Sequence, residues 1–486
     1  MIKEATSTSH KILFFNTIAF TVAFAAWMLN GVLVTFLVSN EVFDWNAVQI
    51  GWLMGIPILT GAVMRLPVGI LTDKFGGKYV YGFLLILASI PMYLLSTAHS
   101  FMEYAMYSFG FGIVGASFSV GIAFTSVWYP KKNQGTALGI FGAGNAGAAA
   151  TSLLLPAILL QLTSDGNMEH WREVPVYYAI MLFGMGIIFL IFTQNRKTDA
   201  AQKTLAEMMR PIKDLQVWKF GLWYFLVFGC FVAFSQWLIP YFVNVYYLPL
   251  ITAGFLASAF SFPSGVIRAF GGWLSDLYGG RKVMSWVLTV SVVISAMLMV
   301  PKVDVFSPGK GVIAKIPGTV TAVTENSVTV GKRVYTFSPK KAEDESNDIN
   351  SDKVLVLPVK KTWQEAVVKV GDKVKKRQLL AKGTTRISFQ ANVWIFAALA
   401  IILGSVWGIG KAAVYKYIPE YYPDDVGMVG GMVGVLGGLG GFFTPIIFGY
   451  LLEFTGLWSS AWAFIFFITF IGMWWLLHDS AHKVVD

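Results

Sequence analysis

The stretch "GAVMRLPVGILTDKFGG", residues 61–77, places Arg65 inside a run that otherwise reads as the middle of a membrane-crossing helix. An arginine at that depth costs several kcal/mol to insert. The pattern returns about two hundred residues later. "RLPVGILTDKFGGK" runs from Arg65 to Asp73 in eight residues and continues to Gly76, Gly77 and Lys78. "RAFGGWLSDLYGGR" runs from Arg268 to Asp276 in eight residues and continues to Gly279, Gly280 and Arg281. The same spacing at matching positions of two halves marks an internal repeat.

Composition sets the class. Of 486 residues, 56% are hydrophobic and 13% charged, with 17 Trp and 39 Phe, which is an integral membrane protein's balance. The net charge of +10 does not indicate nucleic-acid binding, because Lys and Arg fall in short loops and one polar block, not in a basic stripe interleaved with aromatics. Cys230 is the single cysteine, so no intrachain disulfide and no CxxC site exists, and the five histidines lack ligand spacing. The first apolar run is too long for a signal peptide and reads as the first helix.

Runs near the ~20 residues needed to cross a bilayer fall at about 11–38, 46–71, 77–98, 101–129, 133–162, 174–193, 215–246, 250–277, 281–300, 391–418, 425–453 and 459–478. This predicts an all-α membrane protein of twelve helices in two six-helix halves. The N-terminal half covers 1–195, a linker 196–214, and the C-terminal half 215–300 with 391–486. Lys74, Lys78, Lys131, Lys132, Arg281 and Lys282 all fall on one side, which predicts that both termini are cytoplasmic. The D-x-x-G-G-[KR] segments, Asp73 with Gly77 and Lys78 and Asp276 with Gly280 and Arg281, resemble the loop signature of the major facilitator superfamily.

Each arginine stands eight residues above its acid, ~12 Å at 1.5 Å per residue and so near the middle of a ~30 Å core. Charge in a bundle is usually paired with an intramembrane carboxylate. Here Asp73, Asp276, Glu420 and Glu453 lie near helix ends and Glu103 opens the fourth helix. Two guanidiniums facing each other without a counter-ion read as an anion site, their planar forks suited to planar oxyanions. Glycine-rich stretches begin the fifth and eleventh helices, at Tyr129–Pro156 and Tyr421–Gly449, and most of these glycines read as helix packing. Asn145, an amide amid Gly and Ala, reads instead as a donor to an oxyanion.

Together with "WYPKKNQGTALGI" and "KAAVYKYIPEYYPDDVG", these features resemble the nitrate/nitrite porter (NarK-like) family over everything except 301–390. The resemblance implies that Arg65 and Arg268 hold the anion, that Asn145 joins them, and that Phe118, Tyr224 and Phe228 form an aromatic shell. It implies nitrate and nitrite as substrates, no cofactor, and alternating access in the cytoplasmic membrane; a monomer is expected. Another small anion is the alternative substrate within the fold.

The lack of mid-membrane acids favours nitrate/nitrite exchange. Lys411, nine residues above Glu420, lies near the depth of the arginines and offers a second mode, proton-coupled uptake. Pairing of Lys411 with backbone carbonyls or a loop acid weighs equally. The Lys-rich block 301–390 reads as a small extracytoplasmic β domain between the ninth and tenth helices. Its "VVKVGDKVKKRQLLAKG" resembles the hairpin of biotinyl/lipoyl-like domains without a carrier lysine, which predicts docking to an unknown partner over chemistry. No catalytic constellation, phosphate loop or metal cluster supports an enzyme.

Overall fold

A computed structural model describes residues 6–196, 213–300, 303–341, 359–389, 392–422 and 426–478. Most of the expected linker, the acidic middle of the insertion and "VLVLP" lie outside the described residues. The chain divides into two compact units, Met1–Met299 with Ala397–Asp486, and Val300–Phe396.

In the first unit the spans are α1 Ser7–Ser39, α2 Ala47–Phe75, α3 Gly77–Thr97, α4 Phe101–Ser126, α5 Ala137–Leu162, α6 Met168–Phe192 and α7 Leu215–Tyr246. α8 combines Leu250–Val266 with Arg268–Tyr278. α9 Gly280–Leu298, α10 Val393–Tyr421, α11 Val426–Thr455 and α12 Ser460–Leu477 follow. Among the described residues eleven helices suffice to cross a membrane, and α8 makes a twelfth span bent by 47°. Outward faces carry large apolar side chains such as Phe83, Leu87, Ile90 and Phe467, as a lipid-facing surface requires.

Local sequence explains the ends. Asn46 caps α2 and shares a capping box with Gln49, and Ser100 accepts from the Glu103 backbone N–H at the start of α4. Each D-x-x-G-G segment makes a one-glycine turn between two helices, with Gly76 at φ +87° and Gly279 at φ +81°. That left-handed backbone is open to glycine at little cost. The acids are therefore not in loops: Asp73 and Asp276 lie in the last turns of helices that end at Phe75 and Tyr278. The sequence reading ended α2 too early because Asp and Lys there resemble a polar loop, while the backbone stays helical until glycine releases it.

Six spans are interrupted near their middles. α2 breaks at Met64 and α8 at Ile267, so that Arg65 and Arg268 each open a second half-helix. Pro67 explains the first break, since a proline in an opening turn gives up only an N–H that would be unpaired there. Pro263 sits in the last turn of the upper half of α8. α1 breaks at Met28, α4 tightens to a 3-10 turn at Gly112–Ala116 and α5 at Ala143–Asn145, and α7 widens to a π-helix at Phe225–Cys230.

The halves meet closely at the end away from the one-glycine turns. A Cβ on Gly51 would stand 2.4 Å from the Pro445 carbonyl oxygen, one on Gly449 2.5 Å from that of Ala47, and one on Gly254 2.2 Å from that of Ser152. Near the turns the same helices stand apart. Gly69 and Gly272, one turn beyond Arg65 and Arg268 on the same faces, would have nothing within 4 Å of an added Cβ. The bundle is closed at one end and open at the other, with the arginines at the boundary.

The second unit holds two antiparallel sheets, ordered β1–β7–β5 and β4–β3–β2–β6. Their strands are β1 Val303–Ile313, β2 Gly318–Val323, β3 Ser327–Val330, β4 Arg333–Thr336, β5 Val359–Ala366, β6 Lys373–Val374 and β7 Leu379–Phe389. Val320, Val328, Val330, Val374 and Leu380 form its buried core. Its first and last strands pair, Val303 opposite Phe389.

Gly51→Val is expected to lower the unfolding temperature of the purified protein, by an overpacking cost of about 1–3 kcal/mol. Gly69→Ala is expected to stay within about 0.5 kcal/mol of the parent. Parallel thermal melts in detergent check both.

Candidate functional site

The breaks bring the predicted residues together. Arg65 is 4% exposed, and its Nη1 donates to the Gly434 carbonyl on α11 at 2.6 Å. Its guanidinium lies 5.4 Å from the Phe118 ring centroid and 5.3 Å from that of Phe228. Arg268 lies 5.6 Å from the same Phe118 ring and 5.9 Å from Tyr415. One ring, Phe118, is thus shared by an arginine from each half. Phe228 stacks on Tyr224 with centroids 5.1 Å apart, and Tyr224 meets Tyr415 edge-on at 5.0 Å.

Neither arginine has a carboxylate partner among the described residues; the ion pairs found there involve His170, Arg172 and Lys416. The Arg65 Nε, the Arg268 Nη1 and both amide atoms of the buried Asn145 have no hydrogen-bond partner. Asn145 and Arg268 are neighbours across the two halves. A Cβ on Gly142, one turn before Asn145, would stand 3.8 Å from Arg268 Nη1, and one on Gly265 would stand 3.8 Å from the Asn145 Cβ. Buried polar atoms are rarely left unpaired, and leaving them so costs roughly 1–3 kcal/mol each. Three of the four, Arg65 Nε, Arg268 Nη1 and Asn145 Nδ2, are N–H donors that an anion with several acceptor oxygens would satisfy; Asn145 Oδ1 is an acceptor and is not served by an anion.

Lys411 is fully buried in α10. Its Nζ donates to the Ser264 hydroxyl at 2.9 Å and sits 3.1 Å from the Phe231 ring centroid. Ser264 is one turn before Arg268, so the lysine stands beside the site. Neither partner expected from the sequence, a backbone carbonyl or a loop acid, is the one found. The acid of the second signature, Asp276, pairs instead with Lys416 at 2.7 Å.

The signature residues lie apart from this cluster. Asp73 is exposed at the open end, Gly77 packs where a Cβ would stand 2.5 Å from the Phe124 side chain, and Lys78 lies over the Tyr79 ring. Gly280 is buried, and Arg281 donates to the Leu476 carbonyl at 3.2 Å. Three participants were missed from sequence: Tyr415, Ser264 and Phe231. Tyr415 stands one helical turn past Lys411, a spacing visible in "KAAVYKY", but a lone tyrosine in an apolar helix carries no signal by itself.

The model of the Major Facilitator Superfamily matches residues 16–324. A probable nitrate/nitrite antiporter, NarK1, from Thermus thermophilus is 35% identical over 98% of this chain and 92% of its own. A nitrite extrusion protein of Bacillus subtilis is 25% identical over 97% and 96%. A probable nitrate transporter, NarT, of Staphylococcus epidermidis is 23% identical over 94% and 92%. Among solved structures, a bacterial homologue of the human lysosomal transporter Spinster, inward-facing and occupied, superposes with a TM-score of 0.63 at 13% identity, covering 97% of each chain. The nucleoside transporter NupG gives 0.59 at 10% identity, covering 96% of this chain and 99% of its own. These two share the fold. With a family model over most of its bundle and full-length relatives of one kind, this chain belongs to the nitrate/nitrite porters of the major facilitator superfamily, a family of transporters and not of enzymes.

Proposed function

We propose that the protein carries nitrate and nitrite across the cytoplasmic membrane by alternating access, with the anion held between Arg65 and Arg268. The observation that carries this reading is the shared Phe118 ring: two guanidiniums without a carboxylate partner among the described residues lie within 5.6 Å of it, and the buried Asn145 neighbours Arg268. A flat, weakly hydrated monoanion suits such a place better than a tetrahedral one. It can accept from planar forks in its plane while aromatic faces cover it. The names of the relatives, an antiporter and nitrate or nitrite carriers, support the substrate class.

The coupling mode we favour is exchange. An empty site leaves two arginines unneutralised in a low-dielectric interior, which opposes reorientation until a second anion binds. Proton-coupled uptake is the second reading, favoured by one observation: Lys411 is fully buried against a hydroxyl and a ring, with no acid paired to it among the described residues. We place the one-glycine turns and both termini on the cytoplasmic side, and the Val300–Phe396 unit outside as a docking module, from the distribution of short-loop lysines and helix parity.

Nitrate uptake into proteoliposomes with nitrite, a proton gradient or neither on the trans side tests the reading. Stimulation by internal nitrite alone establishes exchange; uptake driven by a proton gradient alone establishes symport; no nitrate transport in any arm refutes the substrate. Arg65→Lys and Arg268→Lys are each expected to weaken nitrate binding about 10- to 100-fold, the loss of one charge-assisted bond of roughly 1.5–3 kcal/mol. Asn145→Ala should raise KM about fivefold, for a neutral bond of about 1 kcal/mol. Lys411→Gln is expected to leave exchange intact under the first reading and to abolish proton-driven uptake under the second, measured in the same vesicles.

A further inference from the structure

Each arginine follows, by one helical turn, a residue that rests on the fourth helix of its own half, and the two halves make this contact with different chemistry. In the first half the residue is Gly61. A Cβ there would stand 2.8 Å from the Gly112 carbonyl oxygen and 2.8 Å from the Gly115 Cα, so α2 meets bare backbone at the 3-10 turn of α4. In the second half the residue is Ser264, and the helix against it is α10. A Cβ on Gly408 would stand 2.5 Å from the Ile267 side chain, where α8 breaks, and 2.6 Å from the Ser264 carbonyl oxygen. Lys411 follows Gly408 at the spacing with which Gly115 follows Gly112. Its Nζ donates to the Ser264 hydroxyl at 2.9 Å. A serine and a lysine thus stand where the first half has two glycines.

The lysine is fixed by a second helix as well. Its Nζ lies 3.1 Å from the centroid of the Phe231 ring on α7, and that ring stacks on Phe260 of α8 at 5.5 Å. α10 holds α8 again beyond the break: a Cβ on Gly271 would stand 2.6 Å from the Ile409 Cα, and Asp276 pairs with Lys416 at 2.7 Å. One unbroken helix therefore splints a broken one, with contacts before and after Ile267. What the splint sets is direction. Arg268 opens the half-helix that follows the break, so the angle between the two parts of α8 decides where its guanidinium points. A planar fork gains its bidentate bonds only when it is aimed at the anion. A proton carrier would be served by any lysine at this depth, whereas a brace requires the serine opposite it.

We propose that Lys411 is a positioning residue: through Ser264 it sets the break of α8 and so aims Arg268 at the substrate. This role presupposes that Arg65 and Arg268 hold the anion. Nitrite-driven nitrate exchange by the full-length protein in proteoliposomes tests it. Ser264→Ala and Lys411→Met should each raise the KM for nitrate about fivefold, the loss of one hydrogen bond, with Vmax within about twofold of the parent. The double variant should be no worse than either alone, because both remove the same bond. The conservative Lys411→Gln keeps an N–H donor and should recover a KM within about twofold of the parent. Arg268→Lys should cost less in the Ser264→Ala background than in the parent, and Arg65→Lys the same in both, which separates the aiming of one arginine from a general loosening of the bundle. An unchanged KM in Ser264→Ala overturns the proposal, as do additive losses in the double variant. Equal losses in Lys411→Gln and Lys411→Met also overturn it, since the charge and not the bond would then be what counts. No nitrate transport by the parent refutes the anion site and this role with it.

Discussion

A guanidinium buried in a membrane bundle has to be given acceptors, a counter-ion or aromatic faces, and the arrangement of this protein follows from which of these are supplied. Acids are withheld. Aromatic faces are supplied twice to each arginine, by Phe118 and Phe228 for Arg65 and by Phe118 and Tyr415 for Arg268. One backbone acceptor is supplied, the Gly434 carbonyl. The glycines of α11 thereby gain a role besides helix packing. A Cβ on Gly434 or on Gly438 would stand 3.7 Å from Arg65 Nη1, so bare backbone lets the cation lie against α11.

The irregular backbone belongs to the same constraint. Non-helical segments at membrane depth survive only where they are enclosed by protein or line a cavity. Arg65 and Arg268 each begin a half-helix, Asn145 closes a 3-10 turn, Phe118 follows another by two residues, and Tyr224 and Phe228 border and occupy a π-turn. Each candidate anion-binding residue therefore sits at a break, where a side chain can be aimed off the regular helical path. Lys411 does not: it lies within the unbroken α10. On that ground it differs from the other candidates in kind, beside the site but not built into its breaks.

Much of this was legible in the sequence, and what was not has physical reasons. Span number, the two halves and the paired arginines follow from apolar length and a repeat of Arg and Asp eight residues apart, signals that depend on residue type and spacing alone. The facing of Arg65 and Arg268 and the donor role of Asn145 were read from the residues themselves, Phe118 only from family resemblance, and the structure places the four near one another. The breaks were invisible, because proline also stands inside unbroken helices here, at Pro91 and Pro445, and the 3-10 and π segments use residues that also suit an ordinary helix. Partners within the bundle were invisible too. Ser264 is one of several serines in apolar helices, and nothing in its neighbourhood says that Lys411 will reach it. Asp73 was placed in a loop because its chemistry is that of a loop, whereas the helix runs on until Gly76 permits the turn.

The second unit enters and leaves through paired strands, with Val303 directly opposite Phe389. Facing residues in an antiparallel pair are about 5.5 Å apart or less. The unit's first and last strands thus lie side by side although some ninety residues separate them in sequence. The chain entropy of bringing those strands together is offset within the unit by its own ladder and core. Such a closure lets the interior of the insertion change in length or charge while its first and last strands stay paired.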